Sequence, residues 1–532
     1  MTSPVRTAAV FAMAVSLLAG TPGPHHAAAA NEATLVAAAQ AGDLARVDAL
    51  LRRDPAAVNQ TAPDGTTALH HAVNRDDLPM VDALIEAGAD VAVRNRYRFP
   101  PATLAAVNGN AAIMRRLLAA GVDPNASVPG GETVLMTAAR TGSRDTLEAL
   151  LAAGARPDAA NIAGQTALMW AAAANNPGAI EVLAANGADL HIRTEGGLDA
   201  LAFAVRAGRT AAAETLLDAG ADVNGMLAGG ESVLQVALVN TRWDLANLLL
   251  DRGANPNAGD AGYTALHRIA VLRAVVRGVV RSDDLPVPIG AVDVMLDLLK
   301  KMIAGGLDVN ARMTKDALKD QRFINRQDVL VRVGATGFLL AAKEADLELM
   351  RVLLDAGADP TIPTFDGTTP LMVAAGLYSQ RGSFERFEER GQEDDLLRAV
   401  RMCLELGNDV NATNDLGDTA LHGAAYRGDP AVARLLIARG ARLDAVDTRG
   451  LLPLAVASGV YYKTSLWESP ATAAVLRRAM EERGLPTAVP EPDLTNRCLY
   501  CYLTNRDQYR AAREHIRALE EAFREQRKAS NE

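Results

Sequence analysis

Two cysteines near the C-terminus, Cys498 and Cys501, are spaced as a Cys-x-x-Cys pair. A c-type haem site requires His directly after the second cysteine, and Tyr502 stands there instead. A zinc site requires two further ligands, and a redox dithiol normally opens the helix of a strand–helix–strand unit. The spacing therefore leaves three interpretations open: a local disulfide in an oxidising compartment, free or intermolecular thiols, and a metal or redox site.

The other chemistry-bearing residues form no recognised catalytic motif. The sequence contains no Gly-x-Ser-x-Gly elbow, no His-Glu-x-x-His zinc motif, no phosphate-binding Gly-rich loop with Lys and no dinucleotide fingerprint. We therefore predict a protein that is not an enzyme and that binds no cofactor or metal. A composite site inside the long insertions described below stays as an alternative, because sequence order hides residues that meet only in space.

One pattern of about 33 residues recurs along most of the chain. The stretch Gly-Glu-Thr-Val-Leu at Gly131 returns as Gly-Gln-Thr-Ala-Leu at Gly164 and as Gly-Thr-Thr-Pro-Leu at Gly367. Twelve copies begin at Asn31, Gly65, Arg98, Gly131, Gly164, Gly197, Gly230, Gly262, Gly334, Gly367, Gly417 and Gly450. Most successive starts are 32 to 34 residues apart, so the chain is an array of similar units with a few insertions.

Each copy predicts two short helices. In residues 131–163, Gly142 separates two apolar patterns of helical spacing, and Gly154 ends the second pattern. Ser143 stands where a hydroxyl can cap the second helix by accepting a backbone N–H. Helices this short cannot bury an apolar face alone, so the copies must stack into a solenoid.

The repeated motif resembles the ankyrin repeat. The first half reads Gly-Thr-Thr-Ala-Leu-His from Gly65 and Gly-Asp-Thr-Ala-Leu-His from Gly417, and the second half reads Leu-Leu-Asp-Ala-Gly-Ala-Asp-Val-Asn over residues 216–224. The resemblance covers residues 31–484 and implies an all-α repeat solenoid of stacked helix–turn–helix units joined by short hairpin turns. It also implies that the motif histidines, His70, His267 and His422, support neighbouring backbone and do not bind metal.

The resemblance further implies where a protein partner binds, namely on a concave face beside each leading glycine and near the end of each first helix. The residues at those positions are Arg75, Tyr97, Phe99, Arg140, Arg206, Tyr263, Tyr426 and Arg427. Arg94, Arg96 and Arg98 also crowd one hairpin of an otherwise acidic protein. That hairpin either steers an acidic partner or is a solvated loop.

Insertions interrupt the array at about residues 273–293, 313–330, 379–395 and 460–470. Three of them expand the connection between the two helices of a copy and should project from one edge of the stack. They carry aromatic residues that suit the core of an interface, namely Phe384, Phe387, Tyr461, Tyr462 and Trp467. These loops either form a second partner-binding edge or pack on one another as small local cores.

Residues 1–30 are typical of a secretory signal peptide. Arg6 precedes an apolar run over residues 7–20, and Ala27–Ala30 offers the small residues that a signal peptidase requires. The run is shorter than the roughly 20 residues that span a bilayer. We therefore predict a bacterial periplasmic or secreted protein whose mature chain has no membrane span, with an uncleaved anchor as the alternative.

The tail divides into a Pro-containing linker over residues 485–503, which holds the cysteine pair, and a helix over residues 504–528. Tyr509, Ile516 and Phe523 lie on one apolar seam of that helix. We expect the helix to cap the end of the solenoid, and we therefore predict a monomer. Dimerisation through the seam is the alternative.

The 532-residue chain has a net charge of -10, which gives no general attraction to nucleic acid or anionic membrane. We predict a scaffold that binds another exported protein of unknown identity, as an adaptor, an inhibitor or an immunity-like protein. The alternative is an accessory subunit of a periplasmic redox or hydrolytic enzyme.

Overall fold

The computed structural model describes residues 34–259, 262–276, 291–314, 333–377, 393–448, 450–459 and 468–489. Several predicted features lie outside the described residues, namely the signal peptide, the centres of the four insertions, the Cys498–Cys501 pair and the helix over residues 504–528.

The described residues form 24 α-helices and one short 3-10 helix, and their only β-type pairings are isolated bridges. The helices fall into twelve consecutive pairs, one for each copy of the sequence pattern. In chain order they are α1 (Leu35–Ala41), α2 (Leu44–Arg53), α3 (Ala68–Asn74), α4 (Leu78–Glu86), α5 (Pro101–Asn108), α6 (Ala111–Ala119), α7 (Val134–Thr141), α8 (Arg144–Ala152), α9 (Ala167–Ala174), α10 (Pro177–Ala185), α11 (Ala200–Ala207), α12 (Thr210–Asp218), α13 (Val233–Val239), α14 (Trp243–Asp251), α15 (Ala265–Val276), α16 (Ala291–Ala304), α17 (Gly337–Lys343), α18 (Leu347–Asp355), α19 (Pro370–Ala375), α20 (Glu393–Glu405), α21 (Ala420–Arg427), α22 (Pro430–Ala438), α23 (Pro453–Ala457) and α24 (Pro470–Glu482). The predicted all-α repeat fold is confirmed.

The fourth copy shows how one pair forms. Thr133 caps α7 because its Oγ1 accepts the Met136 amide at 3.2 Å, and Gly142 ends the helix at φ +82°. Ser143 stands at the start of α8, but it does not cap that helix as predicted. Its hydroxyl instead donates to the carbonyl of Gly109 in the preceding copy at 2.8 Å. Ser143 was predicted to cap a helix of its own copy, but it instead hydrogen-bonds to the preceding copy.

The chain divides into two compact units, residues 1–189 and residues 190–532. In the first unit, the first helices of successive copies, α1, α3, α5, α7 and α9, pack side by side, and the second helices do the same. In the second unit, α11, α13, α15, α17, α19, α21 and α23 form the corresponding row. The core between the rows consists of small and medium aliphatic side chains such as Ala72, Leu84 and Leu117, none of which is exposed.

Four of the helices that flank the insertions are longer than the helices of a regular copy, whereas α19 and α23, which also flank insertions, have only 6 and 5 residues. α15 has 12 residues, α16 has 14, and α20 and α24 have 13 each, whereas α7 and α8 have 8 and 9. Part of the additional sequence therefore extends helices and does not lie in loops.

Hairpin asparagines connect several copies to the next. The Asn59 amide donates to the Gly88 carbonyl at 3.2 Å, and its oxygen accepts the Asp90 amide at 2.7 Å. Asn125 makes the same pair of bonds to Gly154 and Arg156. The equivalent asparagines that bridge copies of the second unit are Asn257, Asn310 and Asn411.

A second set of bonds runs backwards, from the end of one first helix to the end of the preceding one. Arg75 donates to the Gln40 carbonyl at 3.3 Å, Asn108 to the Val73 carbonyl at 3.0 Å and Asn176 to the Arg140 carbonyl at 2.7 Å. Carbonyls in the last turn of a helix have no intrahelical partner. These copies therefore satisfy groups that their predecessors leave open.

The motif histidines form a third connection, as the resemblance implied. His267 accepts the Thr264 amide on Nδ1 at 3.1 Å and donates from Nε2 to the Ala335 carbonyl of the next copy at 3.1 Å. His70 and His422 have the same arrangement toward Phe99 and Leu451. This pattern requires a neutral ring with its proton on Nε2.

Burial lowers the pKa of His267 from 6.5 to about 4. The folded-state pKa lies below the unfolded one, so His267 contributes its full stability above about pH 6.5 and loses it as the pH falls toward 4. We expect His267→Gln to remove this acid sensitivity, because Gln235 occupies the same position one copy earlier and donates to the Tyr263 carbonyl at 2.7 Å. Urea unfolding at pH 7.5 and pH 4.5 measures how much the unfolding free energy falls between the two pH values. We expect this fall to be larger in the wild type than in the variant by an amount that approaches about 3 kcal/mol.

The matched control is Gln235→Ala, which should lower the unfolding free energy equally at both pH values. Equal pH dependence in wild type and His267→Gln would contradict a neutral buried ring.

Candidate partner-binding surface

The structure places five of the predicted contact residues at or near a surface. Tyr97 is 43% exposed, Arg75 and Arg206 are exposed, and Phe99 and Arg140 are half-buried. Four of these five lie in the first unit, on the hairpins or at the ends of the first helices. The first unit therefore presents most of the predicted surface that the structure describes.

Three predicted contact residues are buried, so the expectation that they form a surface is wrong. Tyr263 is 3%, Tyr426 7% and Arg427 1% exposed. The phenol oxygen of Tyr263 accepts a bond from the buried Arg268 at 2.8 Å. Polar groups in such surroundings serve internal hydrogen bonds and are not available to a partner.

Arg427 shows why the position of a residue within the repeat does not by itself predict whether the residue is exposed. It occupies the same position in its copy as Arg75, and like Arg75 it donates to the preceding first helix, at 2.8 Å to the Ala374 carbonyl and at 3.3 Å to the Val373 carbonyl. A guanidinium is favourable at the C-terminal end of a helix. Burial lowers the pKa of Arg427 to about 10. Both arginines thus hydrogen-bond to the preceding first helix, Arg75 from an exposed position and Arg427 from a buried one.

The insertion aromatics and the cysteine pair lie outside the described residues. They are Phe384, Phe387, Tyr461, Tyr462, Trp467, Cys498 and Cys501. The edge that they were predicted to form stays a prediction.

Four side chains of neighbouring copies meet on the first-helix face of the first unit, and we call them the Arg140 cluster: Glu132, Arg140, Gln165 and Trp170. The Arg140 guanidinium lies 5.8 Å from the centroid of the Trp170 ring. The indole Nε1 donates to the Gln165 side-chain oxygen at 3.3 Å. All four side chains are half-buried.

The short helices position this cluster. Arg140 stands in the last turn of α7, just before Gly142 ends the helix at φ +82°. Trp170 lies in the first half of α9, whose start is set by Thr166, because the Thr166 hydroxyl accepts the Met169 amide. Since α7 and α9 pack side by side, the two side chains meet across the junction of two copies.

The cluster is partly withdrawn from water. Burial raises the pKa of the Glu132 carboxyl above its ordinary value, although Arg140 opposes that shift. Burial also lowers the pKa of the Arg140 guanidinium. A half-buried Trp and Arg in contact can stack against an apolar group and donate to a carboxylate or carbonyl. These two residue types are enriched among the residues that dominate protein interfaces.

Sequence reasoning selected Arg140 but missed Trp170 and Glu132. Trp170 stands six residues after its leading glycine, where the three preceding copies have His71, Leu104 and Thr137. Comparing the copies at this position singles out the tryptophan, whereas the resemblance directed attention only to the hairpins and helix ends.

A second exposed feature of the first unit is the hairpin of the third copy, and we call Arg96, Tyr97 and Arg98 the Arg96 tip. Arg96 donates to the Tyr97 hydroxyl at 2.9 Å and lies 5.1 Å from its ring centroid. Arg94 points elsewhere and donates to the Ser127 carbonyl of the next copy at 2.7 Å. The basic hairpin therefore presents two arginines and one tyrosine, while the third arginine supports the stack.

Arg98 stands where most copies have glycine and adopts φ +65°. The equivalent glycines Gly65 and Gly131 have φ +78° and +79°. A side chain in this region costs about 1–2 kcal/mol relative to ordinary backbone. The hairpin therefore keeps an arginine at a position that favours glycine.

Among the described residues, one group has the composition of a metal site, namely Asp418, His422 and Asp447, all buried. Both ring nitrogens of His422 are already engaged, and Asp447 accepts the Leu451 amide at 3.0 Å. A metal ion would have to break the connection between two copies. We interpret the group as part of the hydrogen-bond network.

None of the described helices has the length and apolar character required to cross a bilayer.

Comparison with known proteins assigns the family. A family model described as ankyrin repeats (3 copies) matches residues 12–95, 35–128, 102–194, 135–226 and 173–260, and a model described as ankyrin repeats (many copies) matches residues 396–454. The two models together match more than half of the chain.

Proteins that contain this repeat are similar to parts of the chain. Human ankyrin repeat domain-containing protein 63 is 33% identical over 201 residues, which are 31% of this chain and 53% of that protein. Bovine ankyrin repeat and SOCS box protein 3 is 28% identical over 22% of this chain and 20% of that protein. The chain thus spans about half or less of these relatives.

Among solved structures, the ankyrin repeat domain of Bcl-3, a member of the IkappaB family, aligns with 38% of this chain and 94% of that chain at 29% identity, with a TM-score of 0.36. The repeated helix pairs, the bonds between copies and the family matches lead to one conclusion: this chain belongs to the ankyrin-repeat proteins.

Proposed function

We propose that this protein is a rigid scaffold that binds another exported protein, and that the Arg140 cluster is the centre of its contact surface. Ankyrin repeats generally mediate protein–protein interaction. The observation that carries the assignment to this surface is the pairing of Arg140 with Trp170 on a half-buried face of the first unit.

The cluster is organised before a partner arrives. The Gln165 side-chain oxygen accepts from both Trp170 and Asn161, which fixes the indole relative to the neighbouring hairpin. Groups that are already ordered lose little conformational entropy on binding, so a modest contact area can give useful affinity. We expect Trp170 to receive an apolar side chain and Arg140 to donate to an acceptor beside it.

The exported location of the partner is inferred from the sequence of residues 1–30, which is typical of a signal peptide. In that compartment the scaffold would act as an adaptor, an inhibitor or an immunity-like protein, because all three roles require only stable and selective binding.

We expect Trp170→Ala to weaken partner binding by about 2 kcal/mol or more, since a central interface tryptophan commonly contributes that much. The measurement is affinity capture from a periplasmic extract with tagged residues 31–532, followed by titration of the captured protein. Trp243→Ala is the matched control, because Trp243 is also half-buried but lies at the start of α14 in the second unit. Equal loss in both variants, or no loss in Trp170→Ala, would remove the Arg140 cluster from the interface.

The predicted insertion edge needs its own test. Deletion of residues 379–392 stops before α20 begins at Glu393 and should leave the unfolding midpoint unchanged. We expect the deletion to weaken capture, because the segment carries Phe384 and Phe387. Undiminished capture would remove this insertion from the interface.

A further inference from the structure

We propose that the Arg96 tip recognises an extended acidic segment of the partner, one that places an aromatic or aliphatic side chain beside its carboxylates. This inference rests on the proposed scaffold function and specifies the class of partner. It depends on three separate observations: local charge, exposed apolar groups and backbone strain.

The charge at the tip is only partly balanced within the fold, with Asp64 as an acidic neighbour of Arg96. Arg96 and Arg98 are both exposed, on a chain whose net charge is -10. Asp64 belongs to the hairpin beside Arg96, but its carboxylate accepts the Thr66 amide at 2.9 Å within its own turn. Guanidinium groups bind carboxylates in a two-pronged geometry that ammonium groups lack. The tip is therefore suited to partner carboxylates.

The apolar groups lie along the same edge. Tyr97 is 43% exposed, and Ile162, two copies further on, is 89% exposed. Ile162 occupies the hairpin position that corresponds to Arg96. Backbone bonds to the preceding hairpin hold both in line, from Arg96 to Asp64 at 2.6 Å and from Ile162 to Gly130 at 3.0 Å. An extended segment lying along this edge can contact both.

The strain at Arg98 points to function. Its backbone bonds serve the hairpin alone, since its amide donates to the Asn95 carbonyl at 2.8 Å, and glycine at the equivalent position forms the same turn in neighbouring copies. The turn requires this backbone conformation but does not require an arginine in it, and residues held in such unfavourable conformations cluster at functional sites. We infer that the Arg98 side chain contacts the partner.

The test uses the full chain and a displayed library of random ten-residue peptides. We expect the selected peptides to combine Asp or Glu with an aromatic or aliphatic residue. Reversing the tip charge with Arg96→Glu and Arg98→Glu should weaken the best peptide at least about tenfold at low salt, with a smaller ratio at high salt. Arg52→Glu with Arg53→Glu, an equal charge change at exposed positions of α2, should leave binding within about twofold.

A second variant separates recognition from folding. Arg98→Gly relieves the backbone, so its thermal unfolding midpoint should rise while its affinity for the selected peptide falls severalfold. A purely structural arginine would give unchanged affinity. Selection of neutral or basic peptides, no selection at all, or binding that survives the charge reversal would overturn the proposal.

These failures are distinguishable from failure of the scaffold function. Peptides that survive charge reversal at the tip but are lost in Trp170→Ala would overturn the acidic-segment proposal and support the Arg140 cluster.

Discussion

The interaction on which this structure depends is the hydrogen bond from a side chain of one repeat to the backbone of the next. Helices such as α7 and α8, of 8 and 9 residues, are too short to be stable alone. Asn59, Arg75 and His70 each complete groups that an adjacent copy leaves open. Apolar burial drives the stacking, but it has no direction, so these polar contacts determine the register in which copies meet.

The surface available for recognition follows from this requirement. Arg75 and Arg427, at the ends of their first helices, both donate to the preceding copy, and the surrounding side chains decide whether each also meets solvent. Arg427 is enclosed, whereas Arg140 has a neighbouring indole on one side and remains accessible. The Arg140 cluster and the Arg96 tip thus contain side chains that the contacts between copies do not require.

The twelve helix pairs could be predicted from sequence because glycine and apolar spacing are local signals, repeated with little change. The role of His267 also followed from its place in the motif. The burial of individual residues could not be predicted in this way. Arg75 and Arg427 occupy the same position in their copies, but their exposure depends on side chains elsewhere in the chain. Ser143 was misassigned for a related reason, since its hydroxyl bonds to Gly109, 34 residues away. Trp170 is recognised as a candidate contact residue only when the copies are compared at the equivalent position.

The placement of these bonds also bears on how such a chain changes over generations. The asparagine bonds lie at the hairpins and the histidine bonds lie near the starts of the first helices, away from the segment that joins the two helices of a copy. The copy with additional sequence at that connection, residues 277–290 between α15 and α16, keeps its histidine and asparagine bonds to the neighbouring copies. A copy can likewise be duplicated in frame, because each new junction repeats donors and acceptors that already match. The array can therefore lengthen and acquire new loops by recombination without redesign of its core.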